Sequence, residues 1–279
     1  MPKMTVAIVT DSTCDIPFEL VEQLDIHVIP NIVVIDGQEL EDRKDISRQE
    51  FYERLPDMKQ PPTTATASSG AYQELYEELL DQGFEYVVSV HASSQLSGIC
   101  NAANAAAQGF GKRVHVIDSQ NVTLGLGFQA LAAAEAAGRG KSLEAILATL
   151  ESMRPRAHVV AMLDTLEYLR RSGRVSWARA RLGNLLRIKP FVEVKSGGVV
   201  SLGETRTRRK GIERLHQFLN EQGSLEQLAI LHTNAEQDAL QFLADLDFHV
   251  PAKPLIVNVT TVIGTHVGPN GLGFATVVR

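Results

Sequence analysis

Residues 6–13 have the sequence Val6-Ala7-Ile8-Val9-Thr10-Asp11-Ser12-Thr13, in which four apolar residues precede four polar ones. A short apolar run that ends in Asp and hydroxyl residues is typical of a buried strand that leads into a helix. The pattern returns where Tyr86–Val90 meets His91-Ala92-Ser93-Ser94 and where Val114–Ile117 meets Asp118-Ser119. Ligands of open parallel sheets lie beyond the carboxyl ends of the strands, so these polar residues indicate one candidate rim.

Helical patterns alternate with such strands along the chain, which predicts an α/β fold. Pro155 is followed by a fresh apolar run at His158–Leu163, so we expect two domains, residues 1–155 and 156–279. In the second half, Gly197-Gly198 indicates a hairpin turn, and Ala178–Leu186 is one of the predicted helices.

Composition excludes several classes of protein. The 279 residues are 44% apolar and 22% charged, as in an ordinary globular chain. No run approaches the roughly 20 apolar residues of a membrane span, and the first residues do not resemble a signal peptide. Cys14 and Cys100 are far apart in sequence, which favours a reduced, cytoplasmic setting.

The net charge of −6 is unevenly distributed. Arg154–Arg214 carries 15 basic and 5 acidic residues, whereas the rest of the chain carries 12 basic and 28 acidic ones. A basic segment on an acidic body indicates either a docking surface or a solvated helix face with local ion pairs.

Two segments of the sequence resemble phosphate-binding motifs, but neither motif is complete. Gly125-Leu126-Gly127 does not follow a strand, so packing at the start of a helix explains these glycines better than a dinucleotide site. Gly140-Lys141-Ser142 lacks the first glycine of a phosphate loop. No cluster has metal-ligand spacing and no nucleophile elbow occurs, so we expect no cofactor and no metal.

Three polar segments remain as candidates for a site: Pro62–Ser68, which is rich in Thr; Ser93–Gly98; and the glycine-rich Gly264–Gly273. Helix capping explains the Ser and Thr residues individually, and a tight turn before the last strand explains the glycines. Together with His266, however, glycines that allow close approach to the backbone also suit a ligand site.

The chain resembles the DegV family of bacterial fatty-acid-binding proteins, which includes the fatty-acid-carrying subunits of fatty acid kinases. The resemblance runs in order along nearly the full length. It rests on the following segments: Thr10-Asp11-Ser12-Thr13, Ser93-Ser94-Gln95-Leu96-Ser97-Gly98, Val116-Ile117-Asp118-Ser119, Leu169-Arg170-Arg171-Ser172-Gly173-Arg174-Val175, Ile188-Lys189-Pro190, Arg206-Thr207-Arg208 and Gly264-Thr265-His266-Val267-Gly268-Pro269. It implies two α/β domains, the first with a parallel sheet and the second with a mixed sheet, and a long-chain fatty acid enclosed between them.

The resemblance also implies roles for particular residues. The fatty acid carboxylate is expected at Thr64, at Ser93 or Ser94, and at His266, with Gly264, Thr265 and Gly268 forming a ligand loop. Residues 65–67 are Ala-Thr-Ala where the family has Ser-Gln-Pro, and Ile99-Cys100 replaces a common Thr-Tyr. These departures change the surroundings of the expected site but leave its residues in place.

The family presents the bound carboxylate to a separate ATP-dependent kinase, which makes an acyl phosphate. That role is consistent with the lack of a complete nucleotide-binding motif in this sequence. It also implies that the basic segment Arg154–Arg214 contributes to docking of the kinase. The expected docking residues are Arg174, Arg206, Arg208, Arg209 and Lys210; Glu204 replaces a common Lys nearby.

Two alternatives stay open at this point. Ser93 or Ser94, His266 and Asp11 have the residue types of a serine hydrolase acting on acyl esters. Nucleic-acid binding through Arg154–Arg214 is less favoured because no recognised motif accompanies the charge.

Overall fold

The computed structural model describes residues 5–180, 188–248 and 252–279, apart from the side chain of Arg179. Strands in this part are β1 (Val6–Asp11), β2 (Ile26–Ile29), β3 (Ile32–Ile35), β4 (Gln38–Glu41), β5 (Thr63–Ala65), β6 (Tyr86–His91), β7 (Val114–Asp118), β8 (Ala157–Met162), β9 (Lys189–Lys195), β10 (Gly198–Thr205), β11 (Leu225–His232), β12 (Leu255–Asn258) and β13 (Leu272–Val278). Helices are α1 (Phe18–Gln23), α2 (Arg48–Arg54), α3 (Ser69–Asp81), α4 (Ile99–Ala107), α5 (Thr123–Gly138), α6 (Leu143–Met153), α7 (Glu167–Ser172), α8 (Ser176–Ala180), α9 (Arg208–Asn220), α10 (Glu236–Ala244) and α11 (Thr261–Val267).

The strands form three sheets. A parallel sheet has the order β2-β1-β6-β7, and a mixed sheet has the order β10-β9-β8-β13-β11-β12, in which only the β11–β12 pair is parallel. The predicted α/β class with a parallel and a mixed sheet is therefore confirmed. The antiparallel sheet β4-β3-β5 was not predicted, because its strands are only three or four residues long.

Helix α5 lies between the two larger sheets. It packs against β1 on one side and against β8 and β13 on the other. Its small residues permit this close packing: a Cβ at Gly127 would lie 2.4 Å from the carbonyl oxygen of Cys14, and one at Gly125 would lie 2.7 Å from Val159. The packing explanation of these glycines is therefore confirmed.

The two larger sheets take their strands from opposite sides of residue 155. The division into domains at that residue stays a prediction. The predicted helix at Ala178–Leu186 is described only as far as Ala180, and its remainder falls outside the described residues. Within the described ranges, no helix is both long and apolar enough to cross a bilayer.

Candidate functional site

Thr64, His266 and Arg174 meet at one place, although they come from distant parts of the sequence. Thr64 lies on the edge strand β5, paired with Val33 of β3, and His266 lies in the last turn of α11. The Thr64 hydroxyl oxygen is 3.1 Å from His266 Nε2 and 3.4 Å from Arg174 Nη2. Thr64 and His266, two of the residues predicted to bind the carboxylate, are thus neighbours, and the cationic side chain of Arg174 lies beside them.

The charges at this place favour an anion. Burial and the positive charge of Arg174 lower the pKa of His266 to about 3, so its imidazole is neutral at physiological pH. Arg174 Nη1 lies 3.5 Å from His266 Nδ1. Because a guanidinium only donates, Nδ1 accepts and the ring proton lies on Nε2.

The hydroxyl of Thr64 consequently faces two donors, His266 Nε2–H and Arg174 Nη2–H. Its oxygen accepts from both, and its own proton remains available for another acceptor. The contacts to Arg174, at 3.4–3.5 Å, are long for hydrogen bonds, so the guanidinium has capacity left for a ligand oxygen. The three side chains together present hydrogen-bond donors and a positive charge, which suit an anionic group.

Three adjoining cavities, here called the outer, middle and inner cavities, extend from this place into the protein. The outer cavity, of about 290 Å³, and the middle cavity, of about 120 Å³, share the four residues Thr64, Ser172, Arg174 and His266. The inner cavity, of about 100 Å³, shares with the middle one Val122, Leu169, Val199, Ile263 and Val267. We call the middle and inner cavities together the tunnel.

The tunnel is apolar beyond its polar end. Its inner cavity lies against the face of the mixed sheet that carries Val159, Ala161, Val192, Val194 and Leu231. Aliphatic side chains from both halves of the chain therefore surround a space that begins at the polar group of Thr64, Arg174 and His266.

The serines of the Ser93–Gly98 segment have different surroundings from those expected. The Ser93 hydroxyl donates to the carbonyl of Gly197 at 2.7 Å, and the Ser94 hydroxyl donates to Asp118 at 2.6 Å. Neither serine lines the three cavities, whereas Ser97 lines the middle one. The contact of Ser93 or Ser94 with a carboxylate stays a prediction, and Ser97 is the serine of this segment that lines the middle cavity.

The expected ligand loop is mostly helical. Gly264 and Thr265 lie within α11, and Gly268 ends that helix with φ 79°. A Cβ at Gly264 would lie 2.4 Å from the hydroxyl of Tyr52, and one at Gly268 would lie 2.3 Å from the ring of Tyr168. These glycines admit aromatic side chains of the protein to the helix backbone, and of the three loop residues only Thr265 lines a cavity.

Buried carboxylates hold the start of α11. Asp42 accepts hydrogen bonds from the hydroxyls of Thr260 and Thr261 at 2.5 and 2.6 Å, and Asp15 accepts one from the backbone N–H of Thr260 at 2.9 Å. Asp15 and Asp42 belong to the first half of the chain. They therefore fix the position of the helix that carries His266 relative to the sheet that carries Thr64.

The other four predicted docking residues lie apart from the site. Helix α9 packs on the face of the mixed sheet opposite to the tunnel, against Val160 and Met162. Arg208 is held by Asp238 at 2.5 Å and by the carbonyl of Asn270 at 2.6 Å, a structural role. Arg206, Arg209 and Lys210 are exposed.

The hydrolase arrangement is not assembled. Asp11 is fully buried and accepts a hydrogen bond from His91 Nδ1 at 3.0 Å instead of approaching His266. Burial opposes its charge, but His91 and neighbouring donors hold the pKa of Asp11 below its usual value. Because Ser93 and Ser94 also have other partners, the triad of the hydrolase alternative is not formed by these residues. Across the described residues, no cluster of His, Cys, Asp and Glu is arranged to hold a metal ion.

Fold and site together define an α/β protein with a cluster of hydrogen-bond donors, Thr64, Arg174 and His266, at the end of an apolar tunnel. The profile of the DegV family, described as an uncharacterised protein of that family, matches residues 5–279. A DegV domain-containing protein of Deinococcus radiodurans is 36% identical over 279 residues, covering 98% of each chain. The chain belongs to the DegV family.

Solved structures agree with this membership. A DegV family protein from Thermus thermophilus, described in terms of fatty acid binding, has a TM-score of 0.90 at 32% identity and covers 99% of this chain and 100% of its own. DegV of Bacillus subtilis, described as a fatty acid binding protein, has a TM-score of 0.87 at 35% identity, with coverage of 99% and 100%.

Proposed function

We propose that this protein binds a long-chain fatty acid, with its tail in the tunnel and its carboxylate at Thr64, His266 and Arg174. The observation that carries the proposal is the position of these residues, which line both the outer cavity and the apolar middle one. The two structural relatives described as fatty acid binding support the choice of ligand.

The physical chemistry assigns different tasks to the two ends of the ligand. Burial of a methylene contributes about 0.8 kcal/mol, so a sixteen-carbon tail contributes roughly 10 kcal/mol before the costs of ordering it. A hydrogen bond to a charged group contributes about 1.5–3 kcal/mol. The tail therefore supplies most of the affinity, while Thr64, His266 and Arg174 orient the carboxylate.

We further propose that the protein is a non-catalytic carrier in the cytoplasm that presents this carboxylate to a separate ATP-dependent kinase. The outer cavity leaves the carboxylate accessible from the surface. A carboxylate oxygen attacks the γ-phosphorus of ATP held by the kinase, the new P–O bond forms, and the bond to the leaving ADP breaks. In this proposal Arg174, which lies beside Thr64 and His266, stabilises the negative charge on the phosphoryl group.

The sequence supports a separate kinase because both phosphate-binding motifs in it are incomplete. Incubation of the fatty-acid-loaded protein with the ATP-binding kinase subunit and Mg·ATP, followed by hydroxylamine, is expected to yield a fatty hydroxamate. Formation of the hydroxamate without the kinase subunit would contradict a carrier role, and no hydroxamate in its presence would contradict the partnership.

Fatty acid binding itself is tested by titrating the delipidated protein with palmitate. Trp177, the single tryptophan, donates from its indole N–H to the carbonyl of Val199 at 3.0 Å, and Val199 lines both tunnel cavities. The fluorescence of Trp177 is expected to change as palmitate is added and to reach saturation at one palmitate per chain. Butyrate, which lacks the long tail, serves as the control and is expected to bind at least a thousandfold more weakly. No saturable change, with no heat of binding in calorimetry, would contradict the proposal.

A further inference from the structure

The hairpin of β9 and β10 forms one wall of the tunnel. Its turn has left-handed backbone at Ser196 (φ 49°) and Gly197 (φ 83°), as in a tight two-residue hairpin turn. Val199, two residues beyond the turn, lines both tunnel cavities. In the part of the chain that the structure describes, β10 is an edge strand, and no further strand there supports its outer side.

The tip of this hairpin is held by the first half of the chain. Ser93 Oγ donates to the carbonyl of Gly197, and Gln95 Nε2 donates to the carbonyl of Ser196, both at 2.7 Å. Among the described residues, no other side chain hydrogen-bonds to these two carbonyls. The segments approach closely, since a Cβ at Gly197 would lie 2.8 Å from Ser93 Oγ.

A point of bending lies farther along the same hairpin. The register between β9 and β10 shifts between Ser201 and Gly203, and Gly203 has φ 105°. Such bulges bend a strand and leave a residue without its ladder partner. Residues 196–201 are thus fixed at the tip by two side-chain hydrogen bonds and bounded at the base by a bulge.

The ligand needs a route into the tunnel. A fatty acid that enters from the outer cavity must move its apolar tail past the polar side chains of Thr64, Arg174 and His266. These side chains contact one another across the entrance and obstruct this route. Residues 198–201 are also paired with β9, and the carbonyl of Val199 accepts a hydrogen bond from the indole N–H of Trp177, so a displacement of residues 196–201 must break these contacts as well. Such a displacement would remove Val199 from the wall and open the apolar part of the tunnel at its side.

We propose that Ser93 and Gln95 are positioning residues that latch the β9–β10 hairpin shut, and that release of this latch admits and discharges the fatty acid. The inference rests on the proposed function, since it concerns exchange of the ligand of that site. In this proposal Ser93, which does not line the cavities, affects the rate at which the fatty acid enters and leaves the tunnel.

The test is a reversible crosslink. The Cβ position at Gly197, so close to Ser93 Oγ, brings the two Cβ atoms near the spacing of roughly 3.5–4.5 Å that a disulfide requires. The double variant Ser93→Cys/Gly197→Cys is loaded with palmitate, oxidised, and mixed with excess albumin while Trp177 fluorescence is followed. Cys14 and Cys100 are buried and do not compete for the crosslink.

We expect the oxidised variant to release palmitate at least tenfold more slowly than the same variant after reduction. Equal rates in the two redox states would overturn the proposal. Because Gly197 has a backbone conformation that strains other residues, a second variant, Ser93→Ala/Gln95→Ala, leaves it in place. Loss of both latch bonds is expected to speed release about tenfold, and release at the wild-type rate would equally overturn the latch.

The equilibrium titration of the wild type separates this inference from the function on which it rests. Failure of the wild type to bind palmitate refutes the proposed function. Normal binding by the wild type, with release rates that do not respond to crosslinking or to loss of the two side chains, refutes the latch alone.

Discussion

Replacement of Thr64 by valine tests the carboxylate site with little change in shape, because a methyl group takes the place of the hydroxyl. The Thr64 oxygen lies 3.1 Å from His266 Nε2 and 3.4 Å from Arg174 Nη2, and both nitrogens are donors. The hydroxyl proton is consequently directed to a ligand. Thr64→Val removes that donor and leaves the tunnel unchanged.

The expected loss follows from the charge of the acceptor. A hydrogen bond to a carboxylate contributes about 1.5–3 kcal/mol, which corresponds to a roughly 10- to 150-fold weaker affinity for palmitate. A neutral hydrogen bond contributes about 0.5–1.5 kcal/mol, so binding of hexadecanol is expected to weaken by about tenfold at most. Thr64→Ser retains the hydroxyl and should bind palmitate within about threefold of the wild type.

The assay compares palmitate with hexadecanol by titration of Trp177 fluorescence in the wild type and both variants. The informative quantity is the ratio of the two affinities, because a general disturbance of the tunnel would weaken both ligands equally. An unchanged ratio in Thr64→Val, or a loss in Thr64→Ser as large as in Thr64→Val, would refute the assignment of this hydroxyl to the carboxylate.

Further predictions concern the neighbours of Thr64. Arg174→Gln is expected to weaken palmitate binding roughly 5- to 20-fold, whereas Arg139→Gln, which removes an equal charge from an exposed side chain just after α5, should not; equal effects in calorimetry would contradict a local role. In NMR, His266 should remain neutral at pH 5, where a histidine of pKa about 6.5 is mostly protonated. In the unfolded chain His266 is protonated at a higher pH than in the folded protein, so the free energy of unfolding should fall as the pH drops from about 6.5 towards 3. Protonation of His266 near pH 6 in the folded protein would contradict the effect of burial and of Arg174 on its pKa. Gly264→Ala should destabilise the protein by about 1–3 kcal/mol in urea unfolding, unlike Gly138→Ala, where the added methyl meets open space; similar stability in both variants would contradict the packing argument.

Periodicity in the sequence was sufficient for the larger elements. The buried run at Val6–Val9 and the helical pattern at Leu143–Met153 correspond to β1 and α6, since burial of a long apolar run leaves few alternatives. The strand β5 escaped prediction because it has only three residues, alternately exposed, at the edge of a small sheet. Thr64 was nevertheless predicted as a site residue, because of the resemblance to the DegV family and not because its strand had been predicted.

The candidate site was predicted only in part because its geometry depends on distant segments. Thr64 and His266 are separated by 202 positions and meet through the packing of α11 on the small sheet. Arg174 was expected among the docking residues, and its contact with His266 could not be derived from the sequence because the two residues are 92 positions apart. Spacing in the sequence could not distinguish Ser93 from Ser97, since only the tertiary fold decides which hydroxyl faces a cavity and which meets Gly197.

The central claim is that the tunnel holds a fatty acid, and native mass spectrometry of the protein purified without detergent tests it most directly. We predict a mass excess equal to one long-chain fatty acid per chain, released intact on denaturation and identified by its fragment masses. A protein that carries no lipid, and that takes up no palmitate after incubation with it, would contradict the account.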